Sequence, residues 1–291
     1  MKQSFFALLT IFIIGLPPAR SGNDEKAVNY VSNLGGRVIF TNEGGAAVYL
    51  SRSKATDDGL KTLAGLSRLT MLNLGKTKVG DAGIKHLAAC GKLKHLWLAE
   101  TKITDAGLKD LASLANLTEL DLSQTAVTDV GAAELIVLEK LTKLSLPKQA
   151  ITDKTIAAFR KVGRLHVLDR ALPAEQSVIQ RARPKDAEAV DTLYLHNTEV
   201  TDASLKELAD FKNLTHLDLR GRPVTDAGLK ELTNLKNLTW LDLRETKVTD
   251  AGMKAIAEFT KLKSLDLGQT KVTDAGEAEI QKSLPKCKVF R

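Results

Sequence analysis

Residues 238–261 read LTWLDLRETKVTDAGMKAIAEFTK, and this 24-residue unit recurs along the chain. Its shared pattern is L-x-x-L-x-L-x-x-T-x-V-T-D-A-G-L. Regular units open at Leu69, Leu93, Leu117, Leu141, Leu214, Leu238 and Leu262. Weaker units open at Gly45, Leu165 and Val190, which brings the total to ten. Self-similarity at a fixed period of this length is the signature of a solenoid, in which each unit packs against its neighbours.

Each unit predicts a strand, a turn and a short helix. In the unit that opens at Leu117, Leu120 and Leu122 alternate with polar residues, which is the period of a strand buried on one face. Thr128 and Asp129 then offer side-chain oxygens that cap the N-terminus of a helix. The glycine two residues later fits a place where helix and strand backbones approach closely. Stacking such units gives an α/β solenoid with a parallel sheet inside and helices outside.

The repeat resembles the leucine-rich repeat, and its T-x-V/I-T-D-A-G-L signature is similar to the GALA-type repeats of secreted bacterial proteins. The ten units span residues 45–283, and the resemblance covers nearly everything from Gly45 to the C-terminus. It implies a horseshoe-shaped leucine-rich repeat solenoid with the sheet on the concave face and short helices on the convex face. It implies little about function, because the recurring Thr, Asp and Gly columns serve the fold.

The first 21 residues predict a secretory signal peptide. Lys2 supplies a positive charge, residues 5–16 are apolar, and Ala19-Arg20-Ser21 has the small-x-small pattern of a cleavage site. The apolar run is shorter than the roughly 20 residues that span a bilayer. We therefore expect a cleaved leader, no stable membrane insertion afterwards, and a secreted, periplasmic or cell-envelope location.

The ends of the repeat array predict caps, because a solenoid must cover its exposed core at both ends. Residues 22–44 lack the repeat and predict a helix over 24–33 and a strand over 37–40. Residues 284–291 predict a final strand, since Val289 falls where the next unit would place its first strand leucine.

The sixth unit, residues 165–189, departs from the pattern. Arg170 occupies a leucine column, and Pro173 and Pro184 interrupt the usual turn and helix. One interpretation is a decayed repeat with one inserted residue. The other is a kink or hinge between the five upstream and four downstream units. A third interpretation is a protruding helix over 174–182 that contacts a partner.

Charge and cysteine placement narrow the class of protein. The chain has 42 Lys and Arg against 35 Asp and Glu, a net charge of +7. Lysines recur on one helix column without interleaved aromatics, which favours a solvated outer face over nucleic-acid binding. The lysines of that column are Lys85, Lys109, Lys206, Lys230 and Lys254.

The two cysteines have different expected environments. Cys90 replaces a core leucine, and Cys287 lies in the C-terminal cap, where it stays available to pair between chains.

The candidate site lies on the strand residues that point away from the core. Rings concentrate there: Tyr49, His95, Trp97, Tyr194, His196, His216 and Trp240. Tryptophan and tyrosine are the residues that most often anchor interfaces, so we expect a protein or peptide partner on this face. The alternative is that the rings only cover neighbouring strand backbone.

A carboxylate ladder crosses the same face, formed by Asp218, Asp242 and Asp266. Successive strands are about 4.8 Å apart, so these charges repel one another unless they are compensated. Arg220 and Arg244, two residues further along, are the local candidates for compensation. The alternative is that the ladder receives a cationic partner group or Ca²⁺. Zinc is disfavoured because His216 is the only imidazole expected nearby.

These features predict a non-enzymatic recognition module without a cofactor. His216 with Asp218, or His95 with Asp121, would serve as acid–base pairs, but the sequence has no nucleophile motif and no Gly-rich phosphate loop. The alternatives are a structural or self-associating cell-envelope component, or a surface that binds carbohydrate or calcium.

Overall fold

The computed structural model describes residues 22–168 and 190–291, so the expectations for the signal peptide and for most of the sixth unit lie outside the described residues. The strands, in chain order, are β1 Arg37–Phe40, β2 Ala46–Tyr49, β3 Leu69–Asn73, β4 His95–Trp97, β5 Glu119–Asp121, β6 Lys143–Ser145, β7 Thr192–Tyr194, β8 His216–Asp218, β9 Trp240–Asp242, β10 Ser264–Asp266 and β11 Lys288–Phe290. The helices are α1 Gly22–Asn33, α2 Asp57–Ala64, α3 Asp81–Leu87, α4 Asp105–Leu111, α5 Asp129–Glu134, α6 Asp153–Lys161, α7 Asp202–Leu208, α8 Asp226–Glu231, α9 Met253–Ile256 and α10 Asp274–Ser283.

The strands form two sheets that follow chain order, β1 to β6 and β7 to β11. Strands β1 and β2 form an antiparallel hairpin, and every later neighbouring pair in the two sheets is parallel. The strand leucines stay in register, since Leu96 pairs with Leu120 and Leu120 with Leu144. The predicted parallel, one-strand-per-unit solenoid is confirmed.

Helix contacts join the two sheets beside residues 169–189. Helix α6 packs directly against α7. A parallel bridge pairs Thr152 with Glu199, and another pairs Leu144 with Leu168. The helices of the fifth and seventh units are therefore immediate neighbours. The decayed-repeat and hinge interpretations, and the helix expected over 174–182, concern residues outside the described ranges.

A single apolar core runs between the sheets and the helices. Its strand leucines are almost entirely buried, and burying one leucine contributes about 1.5–3 kcal/mol. Cys90 lies in this core with 6% of its surface exposed, as expected. Cys287 is only 3% exposed, so the expectation that it is available to pair between chains is wrong.

Threonine caps most of the helices that follow the strands, as predicted, but the aspartate after it has a different role. The Thr128 hydroxyl oxygen accepts the backbone N–H of Val130 at 3.3 Å. The Asp129 carboxylate, instead of capping its own helix, accepts the hydroxyl proton of Thr152 in the next unit at 3.1 Å. This column therefore links neighbouring helices.

The glycine column faces that same aspartate, which corrects the expectation of a close helix–strand approach. A Cβ on Gly107 would lie 2.5 Å from Asp81 Oδ1, one unit earlier. In the first unit a Cβ on Gly59 would instead lie 1.7 Å from the Tyr30 hydroxyl. Helix α1 thus presents Tyr30 where later helices present aspartate.

At the far end, β11 pairs in parallel with β10, and Val289 lies opposite Leu265. The lysines of the helix column named above are all exposed on the convex face. Within residues 22–168 and 190–291, no helix has the length and apolar character needed to cross a membrane.

Candidate functional site

The concave face is formed by strand side chains that alternate with buried leucines. In β4, His95 and Trp97 are half-buried while Leu96 between them is fully buried. The same alternation places every predicted site residue on this face or in the turn that follows its strand. These residues are Tyr49, His95, Trp97, Tyr194, His216, Asp218, Arg220, Trp240, Asp242, Arg244 and Asp266.

Each tryptophan is paired with an imidazole. His95 and Trp97 stack within one strand, with ring centroids 5.9 Å apart and planes inclined by 19°. His216 stacks on Trp240 across neighbouring strands, at 6.1 Å and 29°. Both indoles are therefore supported on one face by another ring while they remain partly open to solvent.

A groove of about 280 Å³ opens beside Trp97 on the upstream half of the face. Side chains at four successive strand ends border it: Tyr49, Asn73, Trp97 and Asp121. Small residues in the following turns line it as well, namely Ser51, Gly75 and Ala99, together with Lys76. The rings of Tyr49 and Trp97 thus face a depression bordered by small side chains.

The carboxylate ladder is largely buried and is compensated by one arginine. The side chain of Asp242 is 1% exposed and that of Asp266 is 25% exposed. Arg244 Nε lies 3.0 Å from Asp242 Oδ2 and 3.3 Å from Asp266 Oδ2, so its guanidinium bridges the two carboxylates. The hydrogen bond to Asp242 raises the pKa of Arg244 above its usual value.

Asp218 has a partner that the sequence did not indicate. Its Oδ2 lies 2.6 Å from Nδ1 of His196, so the expectation that His216 is the only imidazole near the ladder is wrong. His216 Nδ1 instead lies 2.8 Å from the Thr215 hydroxyl. Among the described residues, Arg220 forms no ion pair, and its expected compensation of the ladder is therefore also wrong.

The ladder aspartates also stabilise the turns that follow their strands. Oδ1 of Asp218, of Asp242 and of Asp266 each accepts the backbone N–H two residues later, at 2.9, 3.0 and 3.1 Å. Asp121 does the same for Ser123 at 2.9 Å. Asn73 repeats the contact with Gly75 at 3.0 Å. An aspartate or asparagine in this column therefore has a structural role wherever it occurs.

The two acid–base pairs considered from the sequence, His216 with Asp218 and His95 with Asp121, do not form. His95 Nδ1 lies 3.9 Å from Glu119 Oε2 on the adjacent strand, so its carboxylate neighbour is Glu119 rather than Asp121. No group of three or more His, Cys, Asp and Glu side chains in the described parts of the chain has a metal-binding arrangement.

The groove beside Trp97 was not predicted from the sequence, because the candidate site was inferred from aromatic and charged residues alone. Asn73 and Gly75, which lie between two units that carry aromatic residues, were therefore not among the predicted site residues. The signal was present: the outward position after each strand is Ser51, Gly75 and Ala99 in three consecutive units. A run of small side chains flanked by rings predicts a depression.

A family described as Leucine Rich repeat matches residues 89–112, 113–135, 212–232 and 234–257. No curated protein matches the chain. Similar solved structures include an internalin from Listeria monocytogenes, with 19% identity over 91% of this chain and 93% of that one and a TM-score of 0.48.

Two further structures are similar to the chain. Internalin C2 from Listeria monocytogenes has 24% identity over 91% of this chain and 92% of its own, with a TM-score of 0.44. A plant peptide hormone receptor, RGFR1 in complex with RGF2, has 14% identity over 73% of this chain and 34% of its own, with a TM-score of 0.45. The matched repeats and the one-strand-per-unit architecture together show that this chain folds as a leucine-rich repeat solenoid.

Proposed function

We propose that the chain is a non-enzymatic recognition module that binds a protein or peptide on its concave face. One observation carries this proposal: both tryptophans of the chain project from strands onto that face and are partly exposed. Tryptophan is enriched among the residues that dominate binding energy. Between the two tryptophans, strands β5 and β6 place charged and small side chains on the face, Glu119, Asp121, Lys143 and Ser145, so the two indoles are its natural anchors.

The stacking of each indole supports a binding role. His95 restrains Trp97 and His216 restrains Trp240 before any partner arrives. A side chain that is already ordered loses less rotamer freedom on association, which lowers the entropic cost of binding. The two rings therefore present preorganised contact surfaces.

The ladder supports recognition over catalysis. Asp218 is paired with His196, and Arg244 bridges Asp242 and Asp266. Side chains that are paired with one another in this way fix the shape and the charge of the surface. Under this proposal a partner meets Arg220 and the exposed edge of Arg244, while the aspartates beneath keep the turns in place.

Truncation of the rings tests the proposal. Residues 22–291 would be used as bait, and retained proteins would be compared with those retained by Trp97→Ala, Trp240→Ala and the convex-face control Lys230→Ala. A partner that requires the rings should lose about 2 kcal/mol or more of binding free energy in each tryptophan variant. Circular dichroism should show unchanged folding. The proposal is wrong if only the convex-face variant weakens binding.

Self-association is the second candidate, and one observation favours it. Strand β11 pairs with β10 on one side, and Phe290 is 41% exposed. An open strand edge offers unpaired backbone groups to another chain. Sedimentation would detect a dimer that Phe290→Ser disperses, whereas a monomer at all concentrations removes this candidate.

We also propose that the protein is exported to the cell envelope and that it is a bacterial protein with GALA-type repeats. These proposals are supported by the leader-like residues 1–21 and by the T-x-V-T-D-A-G-L signature. Mass spectrometry of the exported protein should find a chain that begins after Ser21. Retention of the full chain in the cell would contradict export.

A further inference from the structure

The groove beside Trp97 has a repeating construction that indicates what it binds. Tyr49 pairs in register with Asn73, Asn73 with Trp97, and Trp97 with Asp121, so four outward side chains stand on four adjacent strands. At about 4.8 Å per strand, the two rings originate roughly 10 Å apart. The strand between them carries the shorter Asn73 side chain, which leaves the groove open above it.

One face of the Trp97 indole is available in this groove. His95 covers the other face, with its ring nearly parallel at 5.9 Å, and His95 does not line the groove. On the opposite side, the Tyr49 hydroxyl donates to the Met71 sulfur at 3.2 Å, which fixes the direction of the phenol. Both walls are thus held in place by contacts outside the groove.

The turn residue beneath the rings leaves room for an occupant. A Cβ added to Gly75 would meet Asn73 Oδ1 at 3.4 Å and Ala99 O at 3.5 Å, which are ordinary contacts. The backbone at Gly75 does not require glycine, because its φ lies outside the left-handed region. A side chain at this position would fill the groove rather than strain the chain.

The groove carries an uncompensated negative charge. Asp121 Oδ1 accepts the Ser123 N–H at 2.9 Å, and no ion pair involves Asp121 within the described residues. Lys76, the one cation among the described residues that line the groove, is neutralised by Glu100, with Nζ 2.8 Å from Oε1. Within the described residues, the second oxygen of Asp121 therefore accepts no hydrogen bond, and it borders the same groove as Trp97.

We propose that this groove receives an arginine side chain of the protein or peptide partner, an inference that rests on the proposed function and specifies the group recognised. A guanidinium is planar, stacks on aromatic faces and donates to carboxylates in a fixed geometry. Trp97 supplies an open ring face, Tyr49 borders the groove, and Asp121 supplies the acceptor. A lysine ammonium would meet the charge but would not stack on the indole as a flat group.

A direct binding measurement tests the proposal without the natural partner. The probe is a serine-flanked arginine tripeptide with blocked ends, titrated against residues 22–291 by NMR. The indole N–H signal of Trp97, assigned by its loss in Trp97→Phe, should shift saturably, while the Trp240 signal should not. The matching glutamine tripeptide should produce no saturable shift, and the lysine tripeptide should bind more weakly.

Matched variants separate the groove from the rest of the face. Asp121→Asn keeps the hydrogen bond to Ser123 and removes the charge, so it should weaken the arginine probe by about tenfold, as expected for a charged hydrogen bond. Asp266→Asn makes the equivalent change outside the groove and should not alter the affinity. Gly75→Leu should abolish the shift, whereas Gly91→Leu, whose added Cβ meets nothing within 4 Å, should not.

Three outcomes would overturn the inference: equal shifts with the glutamine tripeptide, saturable binding of a neutral disaccharide in place of arginine, or an arginine response that survives Gly75→Leu. Each is distinguishable from failure of the proposed function. If Trp97→Ala still weakens a natural partner while the arginine probe has no effect, the concave face binds that partner through another group.

Discussion

Asp105 accepts two hydrogen bonds from Thr128 of the next unit: Oδ1 accepts the backbone N–H at 2.7 Å and Oδ2 accepts the hydroxyl proton at 2.6 Å. The Thr128 hydroxyl in turn accepts the N–H of Val130 in its own helix. The same contact recurs at Asp81–Thr104, Asp202–Thr225, Asp226–Thr249 and Asp250–Thr273. These hydrogen bonds therefore couple neighbouring helices along the convex side.

Replacement of Asp105 by asparagine should destabilise the solenoid. The amide keeps one acceptor oxygen but presents an NH₂ group to the Thr128 hydroxyl, so one charged hydrogen bond is lost. We expect the free energy of unfolding in urea to fall by about 1–2 kcal/mol, less than for a fully buried bond. Asp110→Asn, in the same helix and outside this contact, should have little effect. Equal losses in the two variants would contradict the role given to Asp105.

The contact between Asp153 and the seventh unit should make stability depend on pH. Burial alone would raise the pKa of Asp153, but hydrogen bonds from Ser204 and Thr201 outweigh burial and hold it below the usual carboxyl value. A lowered folded-state pKa contributes stability that is present above the unfolded-state pKa and is lost as pH falls through the folded-state value.

We therefore expect the difference in unfolding free energy between wild type and Asp153→Asn to be constant at and above about pH 5.5, well above the usual carboxyl pKa of about 3.9. It should narrow as the pH falls below about 4. Urea titrations of both proteins across this range measure the difference. A difference independent of pH would mean that Asp153 carries no such linkage.

Gly107→Ala should be destabilising because the added Cβ would approach Asp81 Oδ1 to 2.5 Å, and that oxygen is already held by the Thr104 N–H at 2.9 Å. We expect a loss of about 1–3 kcal/mol, typical of overpacking. Gly107→Ser should cost less, since Ser204 occupies the same column and donates its hydroxyl to Asp153. Gly91→Ala is the matched control, with nothing within 4 Å of its added Cβ. Thermal melts of the three variants decide the order.

The fold was predictable because each leucine column repeats, so every unit gave the same evidence for a strand. The contacts between units were not. Whether Asp129 caps its own helix or reaches Thr152 depends on how far apart neighbouring helices lie, and the spacing in sequence does not give that distance. The sequence indicated the residue types of this column and assigned its carboxylate to the wrong helix.

The sequence predicted which face of the solenoid carries the candidate site, but it did not predict the contacts within that site. Alternation with buried leucines placed Trp97 and Trp240 on the sheet surface. The pairing of His196 with Asp218 was missed, since it joins different outward columns on neighbouring strands and depends on side-chain rotamers. The backbone conformation of the turns was also not predicted. Lys76 and Glu100 adopt φ near 60°, in the left-handed region that glycine usually occupies.

Cys90 should behave as a buried hydrophobe. Burial raises the pKa of its thiol to about 11, so the reactive thiolate is scarce at neutral pH. Native protein should react slowly with thiol reagents, and urea should accelerate the reaction. Cys90→Leu should be tolerated or mildly stabilising, whereas Cys90→Asp should lose at least about 3 kcal/mol, because it buries an unpaired charge. Rapid labelling of Cys90 in the folded protein would contradict its core position.

Arg244→Met should be the most costly change at the ladder. It leaves the carboxylate of Asp242, whose side chain is 1% exposed, without a cation. Breaking a buried pair costs about 3–5 kcal/mol, and because Arg244 is itself 40% exposed we expect about 2–3 kcal/mol in urea unfolding. Arg220→Met changes the same residue type in the same column of the adjacent unit and should stay within about 0.5 kcal/mol.

The double variant Arg244→Met/Asp242→Asn identifies the origin of this cost. Asparagine retains an oxygen for the backbone N–H of residue 244, the bond that Asp242 Oδ1 makes at 3.0 Å, and it removes the buried charge. Stability should therefore recover in part relative to Arg244→Met alone. If the double variant is no more stable than the single one, the loss comes from the packing of the arginine stem. In that case the ladder needs no compensating cation.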